Sequence, residues 1–524
     1  MRPFRFIRST LVLTVVLIGF STGGSAAGED PAPRDEVAIL TQQIAEQRKQ
    51  IEALQQSLAG QQKMLDRLSE TSTQQRPLIA STAPMLPPGA TQQMKPDTKA
   101  PVNQAKTQSS PLSFRIGDAD FTPGGFMDMT SIFRSTNSGG IGTSFGSIPF
   151  GNTAAGKTTE SRFSAQNSRI ALKITTKAGN TPVVGYLESD FLGNAPTNLH
   201  VSSNADTLRM RLYWVQVRPG KFEVLAGQSW SMMTPGRTGI SPAPSDIFFT
   251  QDMDTNYQVG LVWTRAPQFR FVYHANANVT AGLSLENPQQ YTAASTVLPS
   301  FATSQVDPNS NNNAPNLHPD IQGKIAFDGK PSGHALHLEF AGMVRSSQIQ
   351  GPTLIKSTTQ GGAGSVNGVA ELVKNFRLIA TTFYSQGGGR YIYGLGPDFI
   401  VTPTGGLKTV KAASGIAGFE YQASPKAQLF AYYGTAYFGR AYAQDSAGKY
   451  YGYGYPGSAL SNNRTIEEWT VGYTHTFWKN ANYGALQLIN QYSYVYRTPW
   501  AVPAAGPLHA HANMLYNNLR YTLP

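Results

Sequence analysis

The sequence predicts an all-β protein: a 16-stranded antiparallel transmembrane β-barrel, preceded by an N-terminal α-helical coiled coil and a flexible linker. Three observations predict it. From about Gly124 onward, apolar and polar residues alternate with period two, as they do in a strand whose two faces meet different surroundings. The links between these segments are alternately tight and long, which is the rhythm of an outer-membrane barrel. After residue 27, no run of about 18 apolar residues occurs, so a membrane-spanning helix is not expected there.

The elements follow in chain order. Arg2, Arg5 and Arg8 precede the apolar run Leu11–Phe20, and Ser25-Ala26-Ala27 follows it. That is the layout of a secretory signal, residues 1–27. Its removal takes three cations and no acid, so the formal charge falls from +11 to +8. The chain has no cysteine, which excludes disulfides and thiolate chemistry. Export and the lack of dense Lys/Arg clusters argue against nucleic acid as a partner.

Residues 28–70 hold a helix. Val37, Ile44, Ile51, Leu58 and Leu65 occupy heptad position a; Leu40, Gln47, Leu54, Gln61 and Leu68 occupy d. Five heptads predict a coiled coil, with Val37, Leu40, Ile44, Ile51, Leu54, Leu58, Leu65 and Leu68 as its seam. At 1.5 Å per residue it reaches roughly 48 Å. The a and d residues alone do not choose between dimer and trimer. Residues 71–112, rich in Pro, Gln and Thr, read as the linker.

The barrel is expected over 113–524. Its strands are predicted at 124–134, 162–176, 182–191, 208–218, 222–229, 257–264, 269–286, 320–327, 335–346, 366–373, 376–384, 414–422, 428–438, 464–477, 483–496 and 510–521. "RPGK", "RAPQ", "DGKPSG", "KN", "SPK" and "KNAN" read as the tight links. Trp214, Trp263, Phe269, Phe327, Phe376, Tyr421, Phe477 and Tyr521 share the apolar parity near them, as an aromatic girdle would. Met210, Leu212 and Trp214 are expected on one face, opposite Arg209, Arg211 and Tyr213.

The polar parity points to a water-filled lumen, since a packed sandwich core would not hold so many charges. Arg169, Lys173, Arg209, Arg211 and Arg270 fall on it, with Glu188 and Asp190 between them. Two readings stay open: a neutralised ladder of ion pairs, or an excess of cations that attracts anions. The segment Ser229–Asn256 follows the fifth strand. Its length, its kinks at Pro235, Gly236, Gly239 and Pro242 and its apolar residues predict a loop folded into the barrel, carrying Arg237 into the channel. The alternative is an exposed surface loop.

The coil Val37–Leu68 and the segments "GGFMDMTSIFR", "GYLESDFLG", "LRMRLYWVQV", "LAGQSWS" and "NNLRYTLP" resemble the DcaP-like porins. These are trimeric outer-membrane channels with an N-terminal periplasmic coiled coil. The resemblance implies a homotrimer in outer-membrane lipid that passes small, often anionic solutes; the arginines on the polar parity make carboxylates the best guess. The chain departs from many such barrels in ending Tyr521-Thr-Leu-Pro rather than on an aromatic residue. The competing reading makes the barrel an anchor, and the coil a tether or adhesin for periplasmic or cell-wall components.

No cofactor, metal site or enzyme activity is expected. "GTSFG" (Gly142–Gly146) has the letters of a nucleophile elbow without the strand-turn-helix setting. "GYGYPG" (Gly452–Gly457) lacks the helix that a dinucleotide site needs. "DMDTN" puts Asp252, Asp254 and Asn256 at calcium-loop spacing, but without the required glycine.

Overall fold

The computed structural model describes residues 110–524, apart from 143, 194–205, 248–249, 254–255, 290–304, 306–313 and 351–354. The expected signal, the coil with its seam residues and almost all of the linker lie outside the described residues.

Sixteen antiparallel strands close into one barrel. They are β1 (Ala119–Arg134), β2 (Glu160–Ser164 with Arg169–Ala178), β3 (Thr181–Asp190), β4 (Arg209–Val217), β5 (Phe222–Trp230), β6 (Arg265–His274), β7 (Val279–Glu286) and β8 (Asp320–Gly329). Then come β9 (Leu336–Gln350), β10 (Lys356–Val373), β11 (Phe376–Gln386), β12 (Lys411–Ser424), β13 (Ala427–Phe438), β14 (Asn463–Asn480), β15 (Gly484–Pro499) and β16 (Ala510–Thr522). Closure pairs the first strand with the last, from Phe126–Thr522 to Arg134–Met514. Both pieces of β2 pair with β1. At the break between them, Asn167 Nδ2 donates to Asp128 Oδ2 (3.0 Å), which also receives Arg520 Nη2 from β16 (2.7 Å). One buried carboxylate thus ties three strands at the seam. Both ends of the described chain meet at the tight-turn rim, where Ser110 Oγ donates to Pro524 O (3.0 Å).

The structure departs from the expected strands in three places. Residues 257–264 are not a wall strand. They lie inside the barrel, and their alternation reflects pairing with another loop. Residues 269–286 are the hairpin β6–β7, with its turn at 275–278. That turn has neither Gly nor Pro; Asn276 Oδ1 holds it by accepting from the amides of Asn278 and Val279 (2.8 and 2.9 Å). The two errors cancel, so the strand count stands while "RAPQ" moves from a turn into β6. Finally, β10 begins at Lys356 and pairs with β9 out to Gln350. The polar, glycine-rich "KSTTQGGAGS" hid that half of the strand.

One bulge changes which side chains face inward. The β3–β4 register shifts between Glu188 and Ser189, so the consecutive residues Arg211 and Leu212 are both buried, while Met210 and Val215 are exposed. Leu212 and Trp214 therefore pack inside with Leu225 and Ile247, rather than on the outer face with Met210. Of the expected girdle, Phe327, Tyr421 and Phe477 are exposed on the wall. Trp214 turns inward, Trp263 lies in a loop and Phe269 is mid-strand.

A candidate solute constriction

The loop of residues 231–264 leaves β5 and crosses the lumen. Its first half is fastened to β7, β8 and β9. Glu286 accepts the Met232 amide (2.7 Å), Lys324 Nζ donates to Thr234 O (2.8 Å), and Glu339 and Asp328 accept the amides of Gly236 and Gly239 (3.0 and 2.9 Å). The loop also reaches the opposite wall. Arg237 pairs with Glu420 of β12 (2.6 Å), Gln491 of β15 accepts the Met253 amide (2.7 Å), and Glu468 of β14 accepts Val259 N and Asn256 Nδ2 (2.8 and 2.9 Å). A carboxylate that receives backbone N–H groups meets the needs of both partners inside a barrel. Close contact fixes the path as well. Gly260 has φ +88°, and a Cβ there would stand 2.5 Å from Thr435 O, so only glycine fits.

A second loop, 387–410, lies against the first. Gly260 N donates to Tyr393 O, Tyr393 N to Leu261 O and Trp263 N to Tyr391 O (2.9, 2.8 and 3.1 Å). Arg345 holds this loop through Asp398 (3.3 Å) and the Gly387 carbonyl (2.8 Å). Loop 135–159 adds Phe145, Ile148 and Phe150 to the same apolar cluster. The long-loop half of the barrel is therefore narrowed from within by bonded loops.

Two cavities remain beside them. The first, about 530 Å³, is lined by Arg209, Arg211, Arg265, Trp230, Trp263 and Tyr393, among others. Arg211 bonds Glu188 (2.6 Å) and Asp190 (2.8 Å), Arg209 bonds Asp190 (2.7 Å), and Arg169 approaches Glu188 (3.6 Å). Arg265 has no acid within ion-pair distance among the described residues, and its Nη1 is buried without a hydrogen-bond partner. Its guanidinium stands 5.2 Å from the Trp230 ring centroid, and Trp230 packs on Trp263 at 3.8 Å. The neighbouring cavity, about 410 Å³, shares Trp263 and Tyr393 and, among the described residues, has Arg390 as its charged lining residue. Arg390 Nε and Nη2 are buried without partners.

The expected pathway residues therefore divide. Arg169, Glu188, Asp190, Arg209 and Arg211 form one linked cluster. Lys173 is exposed inside, toward the tight-turn rim. Arg237 is on the inward loop but is paired. Arg270 is buried beneath the loop, donating to Trp230 O (2.5 Å) and Gln268 Oε1 (3.0 Å). Arg265 and Arg390 escaped the sequence reading. The first stood in a supposed turn and the second in a glycine-rich loop, so strand parity could not place either. Asn256 of "DMDTN" serves as a loop anchor, and no cluster of metal-ligating residues occurs among the described residues.

No family model and no curated protein matches the sequence. The outer membrane channel DcaP of Acinetobacter baumannii matches in structure with a TM-score of 0.55 and 17% identity, over 77% of this chain and 97% of that one. The chain has the DcaP barrel fold. The anion-selective porin from Comamonas acidovorans aligns over 77% of this chain and 99% of its own, with 12% identity and a TM-score of 0.47. Within the DcaP barrel fold, the bonded inward loops and the two basic cavities are the features that shape this chain's lumen.

Proposed function

We propose that the protein is an outer-membrane porin through which small hydrophilic anions, carboxylates foremost, diffuse passively. One observation carries this reading. Around the larger cavity, among the described residues, four guanidinium groups (Arg169, Arg209, Arg211 and Arg265) are grouped with two carboxylates, Glu188 and Asp190. The ion-pair ladder exists, but it is one-sided. A narrow site bounded by protein magnifies such an excess, and guanidinium forks suit carboxylates. Three acids on other strands are engaged elsewhere: Asp128 with Arg520, Glu339 with Lys324 and Glu468 with the inward loop. In this reading the pathway runs along Arg169, Arg209, Arg211 and Arg265, with Lys173 toward the tight-turn rim. The tight-turn rim faces the periplasm. Residues 1–27 are the signal, 28–70 a coil joining a homotrimer, and 71–112 the tether to the barrel. The lumen offers a path rather than a reaction site.

The test is the reversal potential of the purified protein in a planar bilayer under a salt gradient. Anion preference is expected; a channel that selects cations overturns the reading.

A further inference from the structure

The long-loop rim carries a group of cations above β12, β13 and β14. Lys408, Lys411, Arg440 and Arg464 are exposed there, and none has an ion-pair partner among the described residues. Strand register sets their level. On the outward face Tyr384 stands opposite Ala413, and Ala413 opposite Tyr437; both tyrosines are exposed. One step nearer the rim on the same face, Gln386 stands opposite Lys411. Lys411 O accepts the Gly439 amide (2.7 Å), which brings Lys411 beside Arg440. Toward mid-wall the outward face becomes apolar, with Phe419, Leu429 and Val471 exposed. The order from mid-wall to rim is apolar, aromatic, then basic, which matches a bilayer from its hydrocarbon to its headgroups.

Two of these cations are braced by one ring. Trp500, just past β15, donates from Nε1 to Phe438 O (3.0 Å) and from its amide to Asn462 O (2.9 Å). Arg440 Cζ stands 4.3 Å from the centroid of that ring and Arg464 Cζ 5.8 Å, and Tyr437 meets it edge-on at 6.1 Å. The indole attracts both guanidinium groups and so keeps two like charges near one another, an arrangement that an anion between them relieves. The acids of the same segments are occupied. Asp445 accepts the amides of Ala447 and Lys449 (2.9 Å each) in the turn of a small hairpin, Ala441–Gln444 with Tyr450–Tyr453. Glu467, on the outward face, accepts from Tyr433 Oη (2.7 Å) and Tyr496 Oη.

We propose that this corner of the rim, Arg440 and Arg464 on Trp500 with Lys411 beside them, binds the phosphate groups of a phosphorylated glycolipid in the outer leaflet. The inference rests on the reading above that the tight-turn rim faces the periplasm, which leaves the long-loop rim outside. Guanidinium groups meet phosphate oxygens with paired donors, and an ammonium adds a point charge. The source is a lipid rather than a free anion because Lys411 and Tyr437 belong to the outer face of the wall. Acyl chains below the headgroup lie there against Leu429 and Val471, whereas a soluble phosphate uses the charges and not the apolar face beneath them.

The test measures binding of a bis-phosphorylated glycolipid (lipid A) to the full-length protein in detergent by native mass spectrometry. Arg440→Gln/Arg464→Gln should lower the affinity roughly ten-fold or more, and removing both phosphates from the glycolipid should do the same to the wild type. Lys177→Gln/Lys374→Gln takes the same charge from exposed positions at the tight-turn rim and should leave binding unchanged. Equal binding by the wild type and the arginine variant overturns the proposal, as does an equal loss in the lysine variant or undiminished binding of the dephosphorylated glycolipid. Displacement of the glycolipid by millimolar inorganic phosphate also overturns it, by making the site one for free anions. Orientation is read apart. Arg440→Cys on intact cells should react with a membrane-impermeant maleimide. No labelling overturns that orientation and the proposal with it, whereas labelling without glycolipid binding overturns the proposal alone. Reversal potentials of the same preparations test the diffusion reading separately, because none of these four cations lines either cavity.

Discussion

Two charged clusters line different sectors of the lumen and do different work. On β8 and β9, Lys324, His337, Asp328 and Glu339 bond one another and the backbone of loop 231–264. Nearby, Arg345 is flanked by Asp320 and Asp398 (3.3 Å each). Here four acids face three basic groups, most of them buried and directed at loops. On β2, β3, β4 and the start of β6, the cations outnumber the acids and border a cavity. Charge within a barrel can be mortar or it can be field, and the count of partners separates the two. The same test sets Arg237 of the inward loop, neutralised by Glu420, apart from Arg265 at the start of β6.

The sharpest way to break the contrast is Glu339→Ala. It removes the acceptor for Gly236 N and strands Lys324, a buried ammonium, without its carboxylate. A destabilisation of about 3–5 kcal/mol is expected, read as a lower unfolding temperature in detergent with a noisier open channel. Unaltered melting and current would show that the cluster does not hold the loop. Next in size is Gly260→Ala, which forces a side chain against Thr435 O at φ +88°. About 2 kcal/mol of strain is expected, measured as altered single-channel conductance and reduced thermal stability.

The field-making side is probed by selectivity. Arg265→Gln should lower the anion-to-cation permeability ratio roughly five-fold, the equivalent of about 1 kcal/mol between a charge and a passing ion. Arg209→Ala/Arg211→Ala should shift the reversal potential the same way and weaken block by a dicarboxylate, although it also unpairs Glu188 and Asp190. Stability after Arg265→Gln should hold, in contrast with Glu339→Ala; a large loss of stability would put Arg265 among the anchors. The smallest effect is expected from deleting residues 28–110. A diffusion channel should still conduct, and loss of conductance would favour the anchor-and-tether reading.

Much of this was legible in the sequence, because a two-sided wall writes its period into every strand. Alternation located Glu188, Asp190, Arg209 and Arg211 on the lumen side, and the kinked segment after Trp230 signalled an inward loop. What escaped were departures from strict alternation. The bulge at Glu188–Ser189 is a backbone event with no side-chain signature, yet it reverses Leu212 and Trp214. "YQVGLVWT" looks like a wall strand because its backbone does pair, with residues 391–393 rather than with the wall. Arg265 opens a strand where a turn was expected and Arg390 lies in a loop, and local periodicity reports neither.

The bond between the two inward loops has a mechanical meaning. Each loop alone would be a cantilever, free to swing from its roots in the wall. Joined at residues 260–263 and 391–393, they form a beam clamped at several points around the rim, and a clamped beam is far stiffer than either arm. The aperture beside it cannot widen by displacing one loop, because the other is carried along. Current through such an opening should sit at one long-lived level, and insertions in either loop should tune the bore as a single part.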